Sequence, residues 1–243
     1  MGVFFLCIIF SVQAQKNNSV LEIAEQKERL GKIDTAINLI SENIPLANAK
    51  TEVYKLLVKR GYLFMSKNKN SEAEQDFDKA INTLADSNQA YAAKGYLYLK
   101  IGKFFLSIEN FDKAIERGSN HISVYFCRAH ALWDVKDYEK AMQGLEKVLL
   151  LDKTHPDANY LKGRILARTG KHKEALPWYD KALYLQPQSK IAEVSGYRVV
   201  AYYSVGDYQK AEEDLQKSLD GGMNRDEITF AMTEVQRKKY YKK

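Results

Sequence analysis

Gly31, Asn68, Gly102, Lys136, Gly170 and Gly206 occupy equivalent slots along the 243-residue chain, at spacings of 37, 34, 34, 34 and 36. Five residues beyond each slot stands a small side chain: Ala36, Ala73, Ser107, Ala141, Ala175 and Ala211. Four further on comes a large apolar one: Ile40, Phe77, Phe111, Leu145, Tyr179 and Leu215. Three beyond that, Ala80, Ala114, Val148, Ala182 and Ser218 are again mostly small, and Asn43 breaks the rule in the first copy. Self-similarity at such a period means a chain of stacked supersecondary units, each touching chiefly its neighbours.

Each unit reads as two short amphipathic helices, with apolar residues at i, i+3, i+4 and i+7. Two antiparallel helices approach closely only where side chains are short, which is the work of the small residues. The large residue then fills the wedge between one hairpin and the next. Glycine at the turn reaches positive φ without steric cost and ends the first helix. Asp137 and Asp207 stand where a short oxygen-bearing side chain can cap a second helix. Helices are expected near 18–30, 34–45, 52–67, 70–84, 88–101, 104–117, 122–135, 138–151, 156–169, 172–185, 191–205 and 208–219. Gly221 and Gly222 close the series, and 224–239 reads as one more amphipathic helix with Ile228, Ala231, Met232 and Val235 on one side. With only 13 Gly and 4 Pro, the chain lacks the turn formers of a β-sandwich or barrel. Its 16 Tyr, 10 Phe and 2 Trp are too many for a simple coiled coil.

This pattern resembles the tetratricopeptide repeat. One copy runs Tyr91, Gly95, Tyr98, Gly102, Ser107, Phe111, Ala114, and another runs Gly163, Leu166, Gly170, Ala175, Tyr179, Ala182, Pro187. These match the aromatic, Gly, Tyr, turn Gly, Ala, Phe, Ala and Pro slots of that family. The resemblance implies an all-α fold: a right-handed superhelical α-solenoid of six helix hairpins plus a C-terminal capping helix. Units are expected near 17–50, 54–87, 88–121, 122–155, 156–191 and 192–222 within an array over 15–222, with a capping helix and basic tail over 223–243. The first copy is the least regular. Lys27 stands where an aromatic is usual and its spacing is stretched by three, as in a degenerate capping unit.

The resemblance also implies a concave surface lined by the first helix of each unit. Its inward slots, the second, fifth, ninth and twelfth of a unit, place Val58, Tyr62 and Met65, then Gln89, Ala92, Tyr96 and Leu99. Phe126, His130 and Trp133 follow, then Asp157, Tyr160 and Arg164, and finally Glu193, Gly196, Val200 and Tyr203. A protein-binding groove of Tyr62, Tyr96, Phe126, His130, Trp133, Tyr160, Arg164 and Tyr203 is expected, because aromatics with polar tips give large contact area at low entropy cost. The same side chains can instead pack against the neighbouring helix. In some family members a Lys/Asn/Arg clamp holds a terminal carboxylate; Val58 and Tyr62 fill its Lys and Asn slots here, and Lys59 and Arg164 are isolated cations.

Motifs of catalysis are missing from the sequence. There is no phosphate-cradling Gly-x4-Gly-Lys-Ser/Thr loop, no Gly-x-Ser-x-Gly elbow, and none of His121, His130, His155 and His172 has metalloprotease spacing. Acidic runs such as Glu212-Glu213-Asp214 read as the solvated stripe of a helix. Cys127 reads as a small buried apolar group rather than a nucleophile. No cofactor, metal or catalytic residue is expected, and the chain reads as a non-enzymatic scaffold for a protein or peptide partner.

The net charge is +6, but five positive charges sit in the last seven residues, Arg237 to Lys243. The rest is nearly neutral and offers no footprint for nucleic acid. That tail is a solvated helix end or a weak contact for an anionic membrane surface. At the other end, Val3 to Phe10 is an apolar run too short to span a bilayer. With Val12-Gln13-Ala14 behind it, residues 1–14 read as a signal peptide cleaved before Gln15, which implies export, in a bacterium to the periplasm. An adaptor within an envelope assembly is the leading expectation. A membrane-surface protein docked by its tail, or a regulatory subunit of a separately encoded enzyme or sensor complex, are the alternatives.

Overall fold

The computed structural model describes residues 19–84, 86–185, 188–224 and 226. The signal-like run and the basic tail lie outside the described residues, as does the expected C-terminal helix beyond its first positions. The described chain is all helix and turn, without a strand. The described residues form two compact units, divided between Asn120 and His121. The first holds α1 (Val20–Arg29), α2 (Ile33–Asn43), α3 (Lys50–Ser66), α4 (Asn70–Thr83), α5 (Asn88–Lys100) and α6 (Phe104–Glu116). The second holds α7 (Ile122–Asp134), α8 (Tyr138–Leu151), α9 (Pro156–Arg168), α10 (His172–Leu185), α11 (Gln188–Val205) and α12 (Tyr208–Asp220).

Consecutive helices pair as hairpins, three in each unit. The two irregular spacings are absorbed locally. The three extra residues after the first hairpin form a 3-10 turn, Ile44–Leu46, around Pro45. The two extra residues of the last repeat lengthen α11, which begins at Gln188 rather than at the expected 191.

All six turn slots have positive φ, the two non-glycine ones included: Asn68 at 59° and Lys136 at 64°. A lysine held there meets the Cβ–carbonyl clash that makes left-handed backbone costly for L-residues. Lys136→Gly is therefore expected to stabilise the chain by about 0.5–1 kcal/mol, the relieved clash exceeding the entropy glycine adds to the unfolded state. A higher urea midpoint with unchanged m-value checks this, and a lower midpoint rejects it.

Helix caps follow the sequence in part. Ser19 accepts from the Glu22 amide and donates its own amide to the Glu22 carboxylate, a reciprocal box that starts α1. Asp137 and Asp207 accept from the amides of Lys140 and Lys210 as expected. The Lys140 amide at the one, and the Lys210 side chain at the other, hold these carboxyls below the usual carboxylate range.

The hairpin interior is a set of matched sizes. A Cβ on Gly61, Gly95 or Gly163 would stand 2.4, 2.7 or 2.9 Å from the ring of Phe77, Phe111 or Tyr179, the wedge residue of the same hairpin. All three rings are 0% exposed. The equivalent positions elsewhere hold smaller wedges behind larger partners: Ile40 with Ala24, and Leu145 with Ala129, all fully buried. Phe77 also joins Ala93 and Leu97 of α5, so the wedge serves its own hairpin and the next.

Acidic residues do more than solvate a stripe. Glu212 and Glu213 are exposed, but Asp214 is 1% exposed and takes Arg198 Nε at 2.5 Å and Nη2 at 2.8 Å. This corrects the solvated reading of that run: one residue in three faces the partner helix and pairs with a cation there. Arg60 and Asp76 repeat the arrangement in the first unit, with both nitrogen–oxygen distances 2.7 Å.

Helix-to-helix contact within each unit is one-sided. The first helices of successive hairpins touch: α1 with α3 and α3 with α5, then α7 with α9 and α9 with α11. Successive second helices make no comparable contact among the described residues. Hairpins that close on one side and splay on the other put the first helices on the inner face of each unit.

Candidate functional site

The first helices carry all eight residues expected to line a groove. In the first unit, Tyr62 on α3 is 37% exposed, its ring edge-on to Phe77 at 5.5 Å. Tyr96 on α5 is half-buried and edge-on to Phe111 at 5.1 Å. Each tyrosine thus rests on the wedge of its own hairpin. The two lie within electrostatic reach of one another, and burial is the main cause that pushes the Tyr62 phenol well up.

The other six belong to the second unit. Phe126 on α7 packs against His155 at 5.0 Å and His130 at 6.4 Å. His130 Nδ1 stands 3.2 Å from Asp134 Oδ2. Trp133 tilts against Tyr138 at 5.2 Å. Tyr203 on α11 lies against Tyr208 at 5.1 Å.

Trp133, Tyr160 and Arg164 are brought together. The guanidinium carbon of Arg164 lies 4.6 Å from the Trp133 ring centroid and 5.4 Å from that of Tyr160. A third ring, Tyr197 on α11, lies 4.5 Å away and meets Tyr160 edge-on at 5.7 Å. Tyr197 was not among the expected residues, because it falls one position past an inward slot counted back from Gly206. The aromatic richness of α11, with Tyr197, Tyr202 and Tyr203, was the available signal. Tyr160 differs from expectation as well. It is 8% exposed and part of the core with Leu166, Tyr179 and Val194, and its hydroxyl donates to Glu193 at 2.8 Å. Ala92 and Gly196, at the same fifth slot, are buried as well, whereas Val58 and Phe126 there are half-buried.

Little here supports chemistry. Cys127 is half-buried and burial pushes its thiol up to about 11, so at neutral pH it is a protonated, poorly nucleophilic group. Among the described residues no group of three or more His, Cys, Asp or Glu is gathered to hold a metal ion. No described helix is long and apolar enough to cross a membrane.

Helical hairpins of one repeating design, with a row of aromatic first-helix residues, define a helical-repeat protein. Two family models of the tetratricopeptide repeat match, over residues 128–190 and 89–121. Over those residues the chain is built of tetratricopeptide repeats, and its fold is that of tetratricopeptide-repeat proteins. No match is found among curated proteins. Solved structures share the fold. The C-terminal part of a TPR repeat-containing protein from Cytophaga hutchinsonii is 22% identical at a TM-score of 0.67, covering 93% of this chain and 92% of that one. YrrB, a TPR protein with an unusual peptide-binding site, is 21% identical at 0.64, covering 73% and 91%. MamA is 20% identical at 0.61, covering 66% and 93%.

Proposed function

We propose that this chain is a non-enzymatic protein–protein interaction scaffold that holds an extended or helical segment of another protein on the inner faces of its units. The observation that carries the reading is the one-sided packing of each unit, which lines up the first helices and leaves aromatic residues between them partly exposed. Tyr62 and Tyr96 offer such a face in the first unit, and Phe126, His130, Trp133 and Arg164 in the second. Half-exposed aromatics resting on a rigid core are preorganised, so little side-chain entropy is lost when a segment covers them. The repeat is generally a non-enzymatic scaffold, and the peptide-binding site of YrrB is a precedent on the same fold.

The apolar run at 3–10 and the small residues at 12–14 support placing this scaffold in a bacterial periplasm, within an envelope assembly. Copurification from envelope extracts is the test. Wild-type chain is expected to bring down a defined partner that the Tyr96→Ala, Trp133→Ala double variant loses, each anchor contributing roughly 2 kcal/mol. If the double variant keeps every partner, the inner-face assignment fails. A reporter enzyme active only after export, fused behind residues 1–14, tests the location separately.

A further inference from the structure

The arginines that pair within their own hairpins set a standard that Arg164 departs from. Arg60 and Arg198 each meet a buried carboxylate bidentately, Asp76 and Asp214. Arg164 is on the inner row, on α9 between α7 and α11, with Trp133 and Tyr197 within 4.6 and 4.5 Å and Tyr160 within 5.4 Å. Among the described residues it has no ion pair and no hydrogen bond. Its Nε is buried without a partner, whereas the side chain as a whole is partly exposed. Glu193 takes the Tyr160 hydroxyl, and Asp134 faces His130.

A guanidinium has five N–H donors in one plane, and aromatic rings interact with its faces while making no use of those donors. The fold therefore holds a cation in a fixed orientation and leaves its hydrogen-bonding edge unanswered. A planar, doubly accepting anion suits that edge, and in polypeptides that anion is a carboxylate.

We propose that Arg164, held by Trp133, Tyr160 and Tyr197, is the anchor for a carboxylate on the partner's polypeptide segment, which makes the segment acidic at this point. The inference rests on the inner-face reading above and adds the chemistry of what lies there. It differs from a clamp of several inner cations, since one arginine fixed by rings supplies the charge. The carboxylate comes either from an Asp or Glu side chain or from a chain terminus.

The probe is a random 12-residue peptide library displayed on phage, selected against the full chain. The best binders are then synthesised with each carboxylate intact or converted to its amide, the terminus included. Binding is measured by calorimetry on the wild type, and by tryptophan emission in a Trp178→Phe background, where Trp133 is the remaining indole. Converting one carboxylate to its amide is expected to weaken binding by about tenfold or more, with a shift in Trp133 emission lost at the same time. Which amide does so separates side chain from terminus. Arg164→Gln is expected to bind acid and amide forms alike, at the wild type's amide affinity, since a purely structural role would weaken both forms equally. The acid–amide comparison on wild-type protein stands even if that variant folds poorly. Should peptides bind, yet acid and amide forms bind the wild type equally, the carboxylate anchor is overturned and the inner-face reading survives. Should no selected peptide bind, both fall.

Discussion

Asp214→Ala is expected to cost about 3–5 kcal/mol of unfolding free energy, because it strands a cation whose partner was built into the core. The Asp214 side chain is 2% exposed and that of Arg198 is 13% exposed. Two of the arginine's nitrogens are satisfied by this one carboxylate. With Asp214 gone, the carboxylate left to Arg198 among the described residues is Asp180, whose side chain is 54% exposed and whose contact is screened by water. Asp180→Ala should therefore cost under about 1 kcal/mol, as exposed pairs do. Urea denaturation of the two variants side by side decides the matter. Equal losses would mean that burial of the pair is not what makes it matter. Asp76→Ala, which strands Arg60 in the first unit, is expected to behave as Asp214→Ala does.

The second large effect concerns a hydrogen atom's worth of space. Gly61→Ala brings a Cβ to 2.4 Å from the Phe77 ring, which is fully buried and packed on its far side by Ala93 and Leu97. Helix propensity alone would favour alanine by about 1 kcal/mol. Overpacking a rigid core costs about 1–3 kcal/mol, so the clash wins and the net effect is destabilising. The chain supplies its own remedy: at the equivalent position α7 has Ala129 and α8 answers with Leu145. Gly61→Ala combined with Phe77→Leu should accordingly be more stable than the sum of the two single changes, by about 1–2 kcal/mol of coupling in a double-mutant cycle. A neutral or stabilising Gly61→Ala single variant would refute the steric account.

Both cases show where sequence reading stops. The pairs Gly61 and Phe77, or Arg60 and Asp76, are each sixteen residues apart on either side of the turn slot at Asn68, so a hairpin hypothesis already places them close to one another. What it does not supply is depth. Asp214 and its neighbours Glu212 and Glu213 look alike in sequence, yet only Asp214 lies on the side of α12 that meets α11. The same holds for the inner row. Tyr160 and Arg164 are one helical turn apart and share a face by count, but Tyr160 is drawn into the core beside Tyr179 while Arg164 keeps an edge toward solvent.

The residues alone determined the succession of helical hairpins. Turn slots that demand positive φ, apolar spacing at the helical period and small residues where helices cross are all local requirements, met within some thirty-four residues of one another. Tertiary packing decided which side of each first helix is open and which rings gather round Arg164. Those outcomes depend on the angle at which one hairpin settles on the next. That angle is fixed by side-chain volumes from several repeats at once, and no periodicity in a single unit carries it. Tyr197 shows the point: it reaches Arg164 only because α11 rests against α9.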